Sequence, residues 1–141
     1  MLFVINIAFA QDIEEEKKAI QNVIQTSYVE GLQNEGDLEK IDQGIHPDFL
    51  LLGIGEGEKM WKLPIDKWKE KTEQKLKEGK LPRKENPITV KFLSIDITGT
   101  AAVAKIEFYV GEKLTYIDYI SLYKFEGKWK MVNKIFYKLP A

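Results

Sequence analysis

Two kinds of hydrophobic spacing divide the chain, a helical one in the first part and an alternating one in the last. From Ile13 to Gly31, apolar and small side chains recur every three or four residues, which predicts a long amphipathic helix. Gly31 lies on the apolar face and would let another backbone approach closely. Asp37 is placed to cap a short second helix, and residues 64–79 have the spacing of a third helix that begins at a proline and ends at a glycine.

The other segments are rich in β-branched and aromatic residues. A first strand is predicted at residues 49–54, with a short return strand at 59–63 after a glycine-rich turn. Four long strands follow, at residues 88–97, 101–110, 114–125 and 128–139. Their connections are so short that consecutive strands must be antiparallel neighbours. The sequence therefore predicts an α+β fold in which three N-terminal helices pack on the concave face of a strongly curved, mainly antiparallel sheet.

The first ten residues differ in character from the rest. Residues 2–10 are apolar, are too few to span a bilayer, and end in a small-x-small pattern at Ala8 and Ala10. That pattern is typical of a signal-peptidase site. We expect residues 1–10 to be the end of a secretory signal and residues 11–141 to form a single domain that works outside the cytoplasm, periplasmic or secreted, with no membrane span. The alternative is an N-terminal strand or a tail buried in the core.

Composition excludes several kinds of site. A chain of 141 residues with 44% hydrophobic and 30% charged side chains is long enough for one ordinary core. The 21 basic and 22 acidic residues nearly cancel, so no overall field attracts nucleic acid or an anionic membrane surface. There is no cysteine and a single histidine, His46, which excludes disulfides, thiolate zinc sites and histidine-rich metal sites. We therefore expect neither a metal nor a cofactor.

The last third of the sequence carries a family resemblance. The segments "SIDITG", "AVAKI", "DYISL" and "KWKMVNKIF", with "GD" at Gly36 and "HPDF" at His46, resemble the branch of the nuclear transport factor 2-like superfamily named "putative lumazine-binding", akin to SnoaL-like proteins. The resemblance covers residues 13–138 and implies a cone-shaped, cystatin-like fold and a homodimer. It does not imply a reaction, because the superfamily includes isomerases, cyclases, dehydratases and non-catalytic transport factors.

The ketosteroid isomerases of this superfamily allow a residue-by-residue test for catalysis. They place a tyrosine on the first helix, an aspartate base at the end of the first strand, and a protonated aspartate on a later strand. Matching the motifs puts Tyr28 near the tyrosine and puts Gly53 and Ser121 at the two aspartate positions. Without the base, that isomerisation is not expected. His46 and Asp48 stay as candidates for a general acid or base, although a capping or hinge role also suits His46.

Alternation along the last strands separates two faces of the sheet. We assign the face with more apolar and aromatic side chains to the concave side, where it would line a pocket for a small apolar or aromatic ligand. The ligand-binding candidates on or above this face are Tyr28, Trp61, Tyr119, Ser121 and Asn133. Asn133 is expected to point inward and to bond another polar group. The alternative is that these side chains simply fill the core.

The opposite face is assigned to the convex side, where no predicted helix covers it. Its apolar side chains would be buried in a homodimer, and its charged side chains would fix the register between the two copies. The predicted interface residues are Ile120, Leu122, Val132, Phe136, Lys105, Asp118 and Lys134. Three functions stay open: an exported small-molecule-binding protein, an isomerase, cyclase or dehydratase that uses the same pocket, and a non-catalytic dimeric interaction module.

Overall fold

The computed structural model describes the backbone of residues 2–141 and the side chains of residues 12–141. The predicted processing after Ala10 therefore lies outside the residues that are described in full. The helices are α1 (Leu2–Val23), α2 (Leu38–Gly44) and α3 (Ile65–Lys77). The strands are β1 (Ile45–Ile54), β2 (Met60–Pro64), β3 (Ile88–Thr98), β4 (Ala101–Val110), β5 (Lys113–Phe125) and β6 (Lys128–Lys138). None of the helices in this part of the chain is both long and apolar enough to cross a membrane.

The first helix changes its winding halfway along. After α1 the chain continues as a π-helical segment, Ile24–Glu35, and ends at Gly36, whose φ of 73° is left-handed. π-Helical stretches are rare and are often found at functional sites. The expected close approach at Gly31 is confirmed, because a Cβ there would lie 3.1 Å from the backbone nitrogen of Ile41 in α2. The expected cap is confirmed as well, since the Asp37 carboxylate accepts a 3.1 Å hydrogen bond from the Lys40 backbone N–H.

One six-stranded sheet has the order β2-β1-β6-β5-β4-β3. The predicted meander from β3 to β6 is confirmed, and all neighbouring pairs are antiparallel except β1 and β6, which run parallel. Strand β1 begins at Ile45, earlier than predicted, because Ile45 already pairs with Met131 on β6. The helices pack on one face of the sheet, and the core lies between them and that face. We call this the covered face and the other the uncovered face.

The predicted faces of β5 are reversed. Ala104 and Ile106 of β4 point into the core, and they pair with Ile120 and Asp118 of β5. Asp118 is 0% exposed and Leu122 is 1% exposed, so both lie on the covered face rather than in an interface. The prediction was wrong because β5 has apolar side chains on both faces, and its alternation alone does not say which face meets the helices.

A β-bulge reverses the faces along β6 as well. Ser121 pairs with Asn133 while Leu122 pairs with Met131, so Val132 is an extra residue without a partner in β5. A bulge changes which side chains face the core. Met131 is inward before it, and Lys134 and Phe136 pack inward after it. Strict alternation had wrongly placed Lys134 and Phe136 on the outside and Asn133 on the inside.

The uncovered face exposes large apolar side chains. Tyr123 is 51% and Tyr137 is 59% exposed, and Val103, Tyr119 and Ile135 are exposed beside them. Of the predicted interface residues, Lys105 and Val132 are on this face: Lys105 Nζ lies 5.6 Å from the centre of the Tyr119 ring, and Val132 lines a shallow groove with Val103 and Tyr123. The expectation of an apolar outer face therefore holds with different residues.

Candidate functional site

A cavity of about 240 Å³ lies between the π-helical segment and the covered face of the sheet. Most of its wall is apolar or aromatic, and the side chains come from β1, α3, β3, β4, β5 and β6. The large side chains of this wall include Leu51, Trp68, Phe108, Tyr116 and Phe136. Neighbouring rings meet edge to face, with centres 5.4 Å apart for Phe108 and Tyr116 and 5.6 Å apart for Tyr116 and Phe136. Such contacts hold the wall in a fixed shape.

Three buried polar side chains meet at the inner end of this cavity. The Tyr28 hydroxyl donates a 3.0 Å hydrogen bond to Asp118 Oδ2. Lys134 Nζ donates to the Tyr28 oxygen at 2.6 Å and to Asp118 Oδ2 at 3.3 Å. Tyr28 comes from the π-helical segment, Asp118 from β5 and Lys134 from β6, so only the folded chain brings these groups together. We call them the Tyr28–Asp118–Lys134 cluster.

The cluster presents two of its members to the cavity. Tyr28 and Lys134 line the cavity and form what we call its polar floor, whereas Asp118 is not among the lining residues and lies behind them. Two hydrogen bonds of Lys134 are made within the cluster, which leaves one of the three donors of an ammonium group for a ligand. The polar floor can therefore donate to an oxygen atom of a bound molecule.

Burial controls the protonation of the cluster. It raises the pKa of the Asp118 carboxyl, although the nearby ammonium of Lys134 works in the opposite direction. It lowers the pKa of Lys134, against the attraction of Asp118. It also raises the pKa of the Tyr28 hydroxyl well above its usual value. Charge on either partner of the Asp118–Lys134 pair is disfavoured by desolvation, so Lys134 gives up its proton more readily than a lysine in water does.

Two more polar side chains, Arg83 and Gln33, line the cavity. The loop that carries Arg83 is tied to the π-helical segment, since Arg83 Nε donates to the Gln33 carbonyl at 3.0 Å and the Arg83 backbone N–H donates to the Asn34 carbonyl at 2.7 Å. Among residues 12–141, Arg83 forms no salt bridge. Its guanidinium is therefore available to an anionic group.

The predicted ligand-binding residues are divided between different places. Tyr28 is on the polar floor, as expected from its position on the first helix. Trp61 lies outside the cavity on the edge strand β2, where it covers Gly53; a Cβ on Gly53 would lie 2.0 Å from its ring. Tyr119 is exposed, and Ser121 and Asn133 line the shallow groove of the uncovered face. These last three were assigned to the cavity because the faces of β5 and β6 were predicted the wrong way round.

Neither acid–base candidate reaches the cavity. The ring of His46 packs on Phe125 with centres 4.8 Å apart, and its Nδ1 accepts a 3.0 Å hydrogen bond from the Asp48 backbone N–H. The Asp48 side chain is 92% exposed. The arrangement agrees with the alternative structural role of His46 at the start of β1. No group of three or more histidine, aspartate or glutamate side chains in the described part of the chain is placed to hold a metal ion.

Asp118 and Lys134 belong to the site, although both were predicted to lie in the dimer interface. The match to the ketosteroid isomerases put Ser121, rather than Asp118, at the position of their protonated aspartate. A usable signal was present: Asp118 lies on one strand face with Tyr116, Ile120 and Leu122, which are all large and apolar. A charge in the middle of an apolar strand face needs a partner or a function.

Comparisons with known proteins agree on the fold. The model of a family named "Putative lumazine-binding" matches residues 15–137. The curated aldolase FrzH from a Cladobotryum species is 29% identical over 123 residues, which cover 80% of this chain and 84% of that protein.

Three of the similar solved structures are proteins described as of unknown function or uncharacterised. A nuclear transport factor 2-like protein from Shewanella baltica is 25% identical, with a TM-score of 0.69, over 90% of this chain and 96% of its own. One from Silicibacter pomeroyi is 19% identical, with a TM-score of 0.71, over 90% and 98%. A protein with a cystatin-like fold from Caulobacter vibrioides is 16% identical, with a TM-score of 0.59, over 89% and 91%.

Proposed function

Since the chain belongs to the "Putative lumazine-binding" family of the nuclear transport factor 2-like superfamily, we propose that its cavity binds a small aromatic or heterocyclic carbonyl compound. The observation that carries the proposal is the polar floor of Tyr28 and Lys134 at the inner end of an otherwise apolar cavity. Ligand sites usually combine apolar walls with a few convergent polar groups, which fix the orientation of the ligand.

The cavity suits a ligand with a planar ring and an oxygen acceptor. Trp68, Phe108 and Phe136 offer ring faces and edges to an aromatic body. A carbonyl oxygen can accept the remaining N–H of Lys134, and it avoids the desolvation cost that would follow if that donor faced an apolar group. Lumazine is a bicyclic heterocycle with carbonyl groups, so the name of the family agrees with this ligand class. At about 240 Å³ the cavity suits one or two rings rather than a larger ligand.

Thermal shift with matched compounds tests this proposal. We expect lumazine and acetophenone to raise the melting temperature, and ethylbenzene, which has the shape of acetophenone without the carbonyl, to raise it less. Free ligand at about 100 times its Kd would add roughly 2.7 kcal/mol to the free energy of unfolding. Equal stabilisation by ethylbenzene, or no stabilisation by either carbonyl compound, would contradict the role of the polar floor.

Arg83 adds a preference for a ligand that carries a negatively charged group. Because Arg83 lines the same cavity and forms no salt bridge within residues 12–141, a ligand with a carboxylate on the ring should bind more tightly. We expect 4-acetylbenzoate to bind better than acetophenone, and Arg83→Gln to remove this preference while acetophenone binding stays. If both proteins bind the two compounds equally well, Arg83 does not contact the ligand.

A second candidate is an enzyme that acts on a carbonyl compound in this cavity. The buried Lys134 beside Tyr28 favours it, because burial lowers the pKa of Lys134 and the neutral amine is a base and a nucleophile. The relative FrzH is named an aldolase, and aldol chemistry acts on carbonyl compounds. Turnover of a bound carbonyl compound, lost in Lys134→Met, would distinguish this enzyme from a protein that only binds.

We also propose that the protein is exported. The apolar run and the small-x-small pattern at Ala8 and Ala10 support this proposal. After expression in an exporting host, intact-mass analysis should give a mature chain that begins at Gln11. Folded protein that is still in the cytoplasm and retains residues 1–10 would contradict it.

We further propose a homodimer formed through the uncovered face. Tyr119, Ile135 and Tyr137 are exposed there, and Tyr119 pairs with Ile135 across neighbouring strands, so their side chains form a continuous patch. A stable interface buries about 800 Å² on each partner, which is the area of a whole sheet face rather than of a single strand. A second copy related by a two-fold axis would cover the same patch on both chains.

A further inference from the structure

We propose that Lys134 is a nucleophilic lysine that forms a Schiff base with a small aldehyde or ketone bound in the cavity. This inference rests on the proposed function, since it takes the carbonyl group of the ligand as the electrophile. The covalent step is an attack of the Lys134 amine on the carbonyl carbon of the ligand, and side chains of the cluster move the protons. The step uses no metal or cofactor, only the Tyr28–Asp118–Lys134 cluster.

The first requirement for a Schiff base is an amine that is held in position beside the ligand. Lys134 lines the cavity, although only 6% of the residue is exposed. Its Nζ lies 4.8 Å from the centre of the Tyr28 ring and 5.3 Å from that of Phe136. The amine is therefore held among rings and by two hydrogen bonds, and a planar carbonyl compound in the cavity would meet it at a fixed place. A reactant held in this way needs little further ordering before the attack.

The second requirement is a neutral amine, because an ammonium group has no lone pair. Asp118 is 3.3 Å from Lys134 Nζ and can take its proton, and burial favours the neutral state of both partners. The other titratable or charged groups of the cavity are Tyr28, Tyr116 and Arg83. Of these, Tyr28 lies within hydrogen-bond distance of Lys134 Nζ, at 2.6 Å.

The third requirement is a route for the protons, and the cluster contains one. The Lys134 nitrogen attacks the carbonyl carbon and forms the C–N bond, while the carbonyl oxygen takes the hydroxyl proton of Tyr28. The nitrogen then returns one proton to Tyr28, which leaves a neutral carbinolamine beside a protonated Asp118. Loss of the hydroxyl group as water uses the Asp118 proton, relayed through Tyr28. The products are an iminium ion, one water molecule and the Asp118 carboxylate, so atoms and charge balance.

This arrangement explains why a lysine and an aspartate are buried together. At rest the Lys134 ammonium is paired with the Asp118 carboxylate, and burial favours transfer of the proton from Lys134 to Asp118, which makes the amine reactive. After the reaction, the positively charged iminium faces the Asp118 carboxylate. This iminium–carboxylate pair takes the place of the earlier ammonium–carboxylate pair. A preorganised opposite charge stabilises the cation as it forms. An iminium can also lose a proton from the neighbouring carbon, which is the entry to aldol-type bond formation or cleavage.

Reductive trapping on the unmodified protein tests the inference. The protein is incubated with benzaldehyde and sodium cyanoborohydride at pH 7, and the benzylated lysines are located by peptide mass mapping. We expect the fastest adduct at Lys134, at least about tenfold faster than at exposed lysines such as Lys113, because its amine is held beside the bound carbonyl compound. Modification spread over the exposed lysines, with Lys134 unmodified, would overturn the inference.

A second probe and a set of variants make the test specific. A 1,3-diketone such as acetylacetone should give a conjugated enaminone, seen by its ultraviolet absorbance, at Lys134. Lys134→Arg keeps a cation beside Asp118 but cannot form a Schiff base, so it should lose the signal while staying folded. Lys124→Met, which changes a lysine outside the cavity, should keep it. An equal signal in Lys134→Arg would overturn the inference.

Tyr28 is inferred to be the proton relay, and Tyr28→Phe separates that role from ligand binding. With the carbonyl probe at saturating concentration, so that any loss of affinity is removed, adduct formation should slow by about a hundredfold or more, the usual effect of losing a positioned acid or base. If acetophenone binds to the unmodified protein but no carbonyl probe is trapped at Lys134, the Schiff base is refuted and the proposed binding function stands. If acetophenone does not bind at all and no probe is trapped, both fail.

Discussion

The two faces of the sheet are built from strands of similar composition, yet they are used in opposite ways. The covered face buries an aspartate and a lysine, Asp118 and Lys134, among its apolar side chains. The uncovered face leaves Tyr123, Ile135 and Tyr137 in contact with solvent. Hydrophobicity therefore does not decide which side chains of these strands are buried. The helices decide it, and the charges on the covered face are tolerated because they pair with each other and with Tyr28.

The largest expected effect comes from breaking the buried charge pair. Lys134→Met keeps an apolar stem of similar length but leaves Asp118 without its cation. We expect the free energy of unfolding at pH 7, measured with urea, to fall by about 3 to 5 kcal/mol. The control is the double variant Lys134→Met/Asp118→Leu, which should recover most of that loss because a matched apolar pair replaces the charges. Equal losses in the single and double variants would mean that the two side chains are not coupled.

The next prediction compares neighbouring residues on β5. Leu122 is 1% exposed and Tyr123 is 51% exposed, although the two are adjacent in sequence and both are large and apolar. Leu122→Ala should lower the free energy of unfolding by about 2 to 5 kcal/mol, since it leaves a cavity in the core. Tyr123→Ala should lower it by less than about 1 kcal/mol. Equal costs in urea denaturation would show that the assignment of the two faces is wrong.

A change on the uncovered face should affect assembly more than folding. We expect Ile135→Lys to convert a dimer into a monomer, as measured by light scattering at micromolar concentration, because the lysine brings an unpaired charge into the apolar patch. The thermal unfolding of the monomer should change little, because Ile135 is exposed within a single chain. Glu73→Lys, which adds a lysine at an exposed position on α3, should leave the dimer intact. An unmodified protein that is monomeric would contradict the proposed interface.

The smallest expected effect concerns the contact by which α1 is held on the sheet. Glu16 accepts a 2.6 Å hydrogen bond from Lys124 Nζ and another from the indole N–H of Trp129. The bonds to Lys124 and Trp129 lower the pKa of Glu16 below its ordinary value of 4.5. The stability they contribute is therefore present above pH 4.5 and is lost as the pH falls through the lowered pKa of the folded state.

The variant Glu16→Gln tests that contribution. It should lower the melting temperature by a few degrees at pH 7, and the difference from the unmodified protein should shrink as the pH falls below 4.5 and Glu16 itself becomes protonated. The side chain of Glu16 is 32% exposed, so solvent screens the interaction and the effect stays small. A difference that grows on acidification would mean that the carboxylate does not stabilise the fold.

Local features of the chain were predictable because they depend on neighbours in sequence. Helical and alternating periodicity located all three helices and the meander from β3 to β6. The Asp37 cap and the close approach at Gly31 followed from the chemistry of single residues at helix ends and crossings. The resemblance in the last strands pointed to the right family and fold. Within the candidate site, Tyr28 was predictable because its helical face also carried the apolar residues of the core.

The site itself was decided by the tertiary structure. The register between β4 and β5 places Asp118 and Ile120 opposite inward-facing residues, and the extra residue Val132 turns Lys134 toward the core. One residue of register exchanges the two faces of a strand, and neither a bulge nor a register is visible in the alternation of a strand that is apolar on both sides. The distances of 2.6 to 3.3 Å within the Tyr28–Asp118–Lys134 cluster exist only after segments separated by 90 and 106 residues have packed together. Amino-acid sequence determined which segments form helices and strands, but long-range packing determined which charges are buried.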